Sequence, residues 1–180
     1  MDFIGGLPKV KGFDTIFVVV DYLTKYAHFV SLPHSFPAKD IIALFIKEVV
    51  CLHGFPSFIV SDRDRIFMSS FYSELFKQVD TTLKMSFTYH PQSNSQTEVV
   101  NKCLETYSRC LTDSKPKQWL TWLSWAEFWY NTNYHGSIHM IPFKALYSRE
   151  PPLLLRGGLE STVKTVRLMM AECNQVLDEL

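Results

Sequence analysis

At 180 residues, with 47% hydrophobic and 20% charged side chains, the chain has the composition of one folded domain, with or without a tail, and not of a disordered segment. Lys plus Arg and Asp plus Glu each number 18, which excludes a polybasic, histone-like binder but not a local basic surface around an acidic site. No apolar run approaches the roughly 18 residues of a membrane span, and the opening Met-Asp-Phe-Ile-Gly-Gly lacks the basic stretch of a secretory signal.

In chain order, the first third reads as strands. Asp2-Phe-Ile precedes Gly5-Gly6. Thr15 to Asp21 (TIFVVVD) is β-branched and aromatic, and Tyr26 to Leu32 alternates before Pro33. Short links, one containing Gly12 and one Leu23-Thr24-Lys25, predict an antiparallel meander. Ala38 to His53 reads as a helix stopped by Gly54 and Pro56, apolar nearly all round its middle and so largely buried. Ser57 to Asp62 is a fourth strand, expected to pair beside the first, and a helix before it implies a crossover and a parallel neighbour. Ser69 to Val79 is a helix and Leu83 to Phe87 a fifth strand. Thr88 to Ser95 is a polar loop, and Gln96 to Leu111 a helix broken by Lys115-Pro116-Lys117. Gln118 to His135 is a long helix rich in rings, Pro142 to Tyr147 a short one, and Glu160 to Leu180 a separate amphipathic helix. The order predicts an α/β fold, a five-stranded mixed sheet flanked by helices. Cys51, Cys103, Cys110 and Cys173 include no CxxC pair, so they read as buried thiols of a reduced, intracellular protein.

Three carboxylates fall where this topology gathers chemistry. Asp2 is on strand one, Asp62 ends strand four, and Glu98 opens the helix after strand five, with 35 residues between Asp62 and Glu98. Each acid alone reads as a solvated charge. Together they form an oxygen-only set of the kind that holds Mg²⁺. Two ions roughly 3.5–4 Å apart can activate an attacking oxygen and stabilise a leaving one in phosphoryl transfer.

MDFIGGLP at 1–8, TIFVVVDYLTKYAHF at 15–29, LHGFPSFIVSDRDRIF at 52–67, YHPQSNSQTEVVNKCLE at 89–105, WAEFWYNTNYH at 125–135 and PFKALY at 142–147 carry a resemblance. The chain resembles the integrase catalytic core of gypsy-type LTR retrotransposons and, more distantly, retroviral integrases. The resemblance implies an RNase H-like fold and a DDE-type polynucleotidyl transferase. Its activity would be Mg²⁺- or Mn²⁺-dependent 3′-end processing and strand transfer, the DNA recombination that integrates an element. It further implies Asp2, Asp62 and Glu98 as ligands of two ions, and Tyr89, Gln92 and Asn94 in a loop that contacts DNA ends. Lys102, one turn after Glu98, would hold a phosphate. DNA and a homo-oligomer are the implied partners, with nuclear localisation and no membrane. Residues 1–155 would be the core, its first strand truncated at the N-terminal end, and 156–180 a helical tail or linker. The alternative is a non-catalytic remnant of a retrotransposon polyprotein that keeps the fold and binds nucleic acid.

Other readings weigh less. Asp62-Arg63-Asp64 is similar to the DxD of haloacid-dehalogenase phosphotransferases, but that motif belongs on the first strand of a parallel sheet. His135 and His139, four apart around Gly136, read as a loop or helix-end histidine pair rather than zinc ligands. Trp119, Trp122, Trp125 and Trp129 read as a packed face before a base-stacking platform. Asp21 reads as a turn acid, and the 84–118 region is basic by five to three, a weak sign of DNA-backbone contact.

Overall fold

The computed structural model describes residues 1–33, 36–61, 82–85 and 116–152, together with the helical, exposed positions Lys164, Arg167 and Ala171. The expected helices at 69–79 and 96–111 and the loop at 88–95 lie outside the described residues.

Strands β1 (Asp2–Ile4), β2 (Phe13–Val20) and β3 (Ala27–Pro33) form the expected antiparallel meander, in the order β1-β2-β3. Asp2 pairs with Val18, and Val18 with Phe29. The β-branched run of β2 is buried on both faces: Phe17 looks to one layer, Ile16 and Val18 to the other. Burial of such side chains contributes about 1.5–3 kcal/mol each, which is why an unbroken apolar run rather than an alternating one marks this strand. Strands β4 (Phe58–Ser61) and β5 (Thr82–Met85) form a parallel pair. The described strands therefore stand as a ladder of three and a ladder of two. A hydrogen bond joins them: the Met1 ammonium donates to Val60 O at 2.8 Å, setting the start of β1 beside β4 as its sequence position led one to expect.

The hairpin between β2 and β3 confirms Asp21 as a turn acid. Its Oδ2 accepts from Thr24 N–H at 2.8 Å and from the Thr24 hydroxyl at 2.6 Å, while Lys25 takes a left-handed φ of 61°.

One layer is helical from Ala38 to His53, but not as a uniform α-helix. Helix α1 (Ala38–Phe45) passes into a π turn (Ile46–Val50) and a last short turn, α2 (Cys51–His53). At the join, Cys51 N–H reaches Ile46 O, five residues back. Ile41, Ile42, Phe45 and Val49 bury one face against Phe17 and Leu32. Ala43, Ile46 and Lys47 stay exposed, so the helix is amphipathic and not buried all round. Gly54, at a φ of 78°, ends it in a conformation that favours glycine. Cys51 is exposed and free, which corrects the expectation of buried thiols for that residue; the other three cysteines lie outside the described residues.

The opposite layer is helix α3 (Trp119–Thr132), entered through a 3₁₀ turn at Pro116–Gln118. Its buried stripe is Trp119, Leu123, Ala126 and Tyr130, packed on Ile16, Val18, Ala27 and Phe29. The tryptophan stripe is thus a partial correction: Trp119 is core, Trp122 and Trp125 are half-buried, and Trp129 is exposed. The spacing of four, three and four that fits the sheet selects Leu123 and Ala126 over the tryptophans. Helix α4 (Pro142–Tyr147) follows with Pro142 at its first turn, where a missing N–H costs nothing.

Candidate active site

Asp2 is the one predicted metal ligand among the described residues. It is half-buried on β1, and its Oδ1 accepts from Phe3 N–H at 2.8 Å. Through the Met1–Val60 bond it stands level with the C-terminal end of β4, where Ser61 is fully buried. Asp62 is the next residue in the sequence. Asp62, Glu98, Tyr89, Gln92, Asn94 and Lys102 lie outside the described residues. The carboxylate of Asp2 is a hard oxygen donor of the type Mg²⁺ takes. Among the described residues, no group of three or more His, Cys, Asp and Glu side chains could hold a metal ion.

A second polar cluster was missed by sequence reasoning. Edge strand β3 turns its outer N–H and C=O groups toward α3, and two side chains one turn apart on α3 satisfy them. Asn131 accepts from Ala27 N–H and donates to Ala27 O, both at 2.8 Å, and Glu127 Oε2 accepts from Phe29 N–H at 2.8 Å. Among the described residues no strand flanks β3 on this side, and a carboxamide and a carboxylate take the place of one. The other oxygen of Glu127 lies 3.3 Å from His28 Nδ1, and His28 Nε2 lies 2.9 Å from His53 Nε2, so one of the two imidazoles donates to the other. The chain Glu127–His28–His53 links α3, β3 and the end of α2. The signal in the sequence was the polar pair Glu127 and Asn131, four apart, interrupting an otherwise aromatic helix.

Electrostatics follow from burial. Desolvation, then the neighbouring His28, holds His53 below its usual pKa. Burial likewise lowers His135 and Lys25, the latter opposed by Asp21. Tyr26 is pushed well up by burial and by the Tyr147 hydroxyl. His135 has both ring nitrogens engaged, by the Tyr130 hydroxyl at 3.0 Å and the Ser137 hydroxyl at 3.2 Å. It stands past the end of α3, bridged to Met140 across a turn, in agreement with the loop reading. Beside the cluster, a cavity of about 480 Å³ opens between β2 and β4, with His28 and His53 in its wall.

No family model matches the chain. It is 33% identical over 153 residues to the transposon Tf2-3 and Tf2-4 polyproteins of Schizosaccharomyces pombe, an alignment covering 85% of this chain and 12% of each polyprotein. The chain thus spans about an eighth of the length of these relatives. In structure it is similar to a chain of the simian T-cell lymphotropic virus intasome, with a TM-score of 0.68 and 17% identity over 91% of this chain and 59% of that one. It is also similar to the HTLV-2 integrase catalytic core domain solved with magnesium, with a TM-score of 0.62 and 14% identity over 80% of this chain and 93% of that domain. The fold is thereby that of the integrase core, RNase H-like. No described helix is long and apolar enough to cross a membrane. The chain is thus related in sequence to a segment of the Tf2 transposon polyproteins and shares its fold with the viral integrase catalytic cores.

Proposed function

We propose that this chain is the catalytic core of an enzyme that integrates retrotransposon DNA, cutting element 3′ ends and joining them to target DNA. The observation that carries the reading is the bond from Met1 to Val60. It fixes Asp2 beside the end of the strand that Asp62 follows in sequence, the neighbourhood a shared ion needs. In this reading β1 to β5 belong to one mixed sheet, residues 1–155 form the core and 156–180 a helical tail or linker. Asp2, Asp62 and Glu98 hold two Mg²⁺ or Mn²⁺ ions. Bound ions would supply Lewis-acid charge for phosphoryl transfer.

The chain's own residues do the rest. Asp2 is positioned by its pairing with Val18 of β2 and by the Phe3 N–H that its Oδ1 accepts. Lys102 neutralises a DNA phosphate, and Tyr89, Gln92 and Asn94 contact the DNA end. The partners are element and target DNA and further copies of the chain, and the place of action is the nucleus. An HTLV-2 core solved with magnesium in dimeric and trimeric forms supports the cofactor class and self-association.

Thermal unfolding with and without Mn²⁺ tests the ligand set, because an ion bound only by the folded state raises Tm. Wild type should shift upward, and Glu98→Gln should shift markedly less. Equal shifts would remove Glu98 from the site.

A further inference from the structure

The polar chain Glu127–His28–His53 takes no part in the acidic site, and it ends on two imidazole nitrogens that face each other. His28 is buried on β3, and His53 is open to solvent at the end of α2. Their Nε2 atoms are 2.9 Å apart and their ring centroids 5.2 Å apart, with the planes inclined at 44°. Glu127 decides where the protons sit. Its Oε2 is held by Phe29 N–H, and its Oε1 lies 3.3 Å from His28 Nδ1. The carboxylate charge favours the His28 proton on Nδ1, which leaves a lone pair on Nε2. His53 Nε2 is then the donor of the bond between the two rings.

Zinc–imidazole bonds of roughly 2.0–2.1 Å in a tetrahedral shell put two ligand nitrogens about 3.3 Å apart and their ring centres about 5.2 Å apart. The ring centroids of this pair already have that separation. The nitrogens need to part by only about 0.4 Å, which a tilt of the rings supplies. A carboxylate behind one ligand imidazole is the usual outer shell of such an ion. The charge of Asp21 acts on His53 in the sense that favours a cation there. Both rings line the cavity of about 480 Å³, from which water reaches them. Nitrogen donors select a different cation from the acids, because Mg²⁺ takes oxygen ligands and imidazole suits zinc and its neighbours.

We propose that His28 and His53 form a binding site for one divalent cation of the zinc class, with Glu127 as the positioning residue that orients His28. The cation takes the Nε2 lone pair of each ring. The His53 proton passes through water from Nε2 to Nδ1, so both imidazoles stay neutral. Water from the cavity fills the remaining positions. His28 stands on β3 and His53 ends α2, so the cation fastens the end of the helical segment over 38–53 to the edge of the sheet. The inference rests on nitrogen donors and stands apart from the chemistry of Asp2, Asp62 and Glu98.

The test is titration of the full chain with Zn²⁺, followed through the ring-nitrogen NMR signals of its six histidines, with Mg²⁺ as the control ion. Zn²⁺ should move the signals of His28 and His53 together, with one midpoint, and Mg²⁺ should leave both in place. His53→Gln should weaken the Zn²⁺ effect on His28 by about tenfold or more. Glu127→Gln keeps an oxygen for Phe29 N–H and should weaken it by about 10–100-fold. Signals of His28 and His53 that stay in place under excess Zn²⁺ would overturn the proposal, since the pair would then be a hydrogen bond alone. A midpoint at His28 that His53→Gln leaves unchanged would overturn it too, and one that Glu127→Gln leaves unchanged would remove Glu127 as the positioning residue.

Discussion

Asn131 shows how much a single side chain can hold. It is 2% exposed and meets both polar groups of Ala27, which is itself fully buried. Replacing it with leucine leaves a buried N–H and C=O unsatisfied, a cost of about 2–6 kcal/mol at 1–3 kcal/mol per group. Urea unfolding of Asn131→Leu should show that loss. A change below about 0.5 kcal/mol would mean that the edge of β3 is satisfied some other way. His53 contributes to the pH dependence, as does His135. The folded pKa of His53 lies below the usual 6.5, so the unfolded chain takes up its proton first. Its stabilising share is complete above 6.5 and is lost as pH falls through and below that value. Unfolding free energies at several pH values should fall less steeply on acidification in His53→Gln than in wild type; parallel curves would contradict the assignment. Neither Asn131 nor His53 was legible beforehand. Their roles depend on contacts between residues about 25 and 104 positions apart, which local pattern does not encode.

Among the elements, strands were more legible than helices. The runs of β2 and β3 are buried or paired along their length, so β-branched composition fixed them to within a residue or two, and Pro142 announced α4. The helix over 38–53 was located but not its π turn, since no residue type signals one. On α3, four tryptophans at helical spacing suggested the wrong stripe. Ring size is visible in sequence, whereas the face that meets a sheet is set by the sheet. The distinction can be measured. Leu123→Ala should cost about 2–5 kcal/mol, and Trp129→Ala, 36% exposed, much less. Equal costs would place Trp129 in a packed interface.

For the molecule as a whole, the order of elements made an α/β fold readable, and the resemblance carried by the motif stretches from 1–8 to 142–147 made it integrase-like. Helices cover both faces of the meander, with separate cores on the α1 and α3 sides. The candidate site stands in the sequence as a proposed set of three acids, of which Asp2 is among the described residues. The most direct measurement of the central claim is Mn²⁺-dependent strand transfer of a labelled DNA end. Wild type and Asp62→Asn would be compared. The account predicts product from the wild type and none above background from Asp62→Asn, with DNA binding retained in both. Product from Asp62→Asn at the wild-type level, or DNA binding without strand transfer in the wild type, would contradict it.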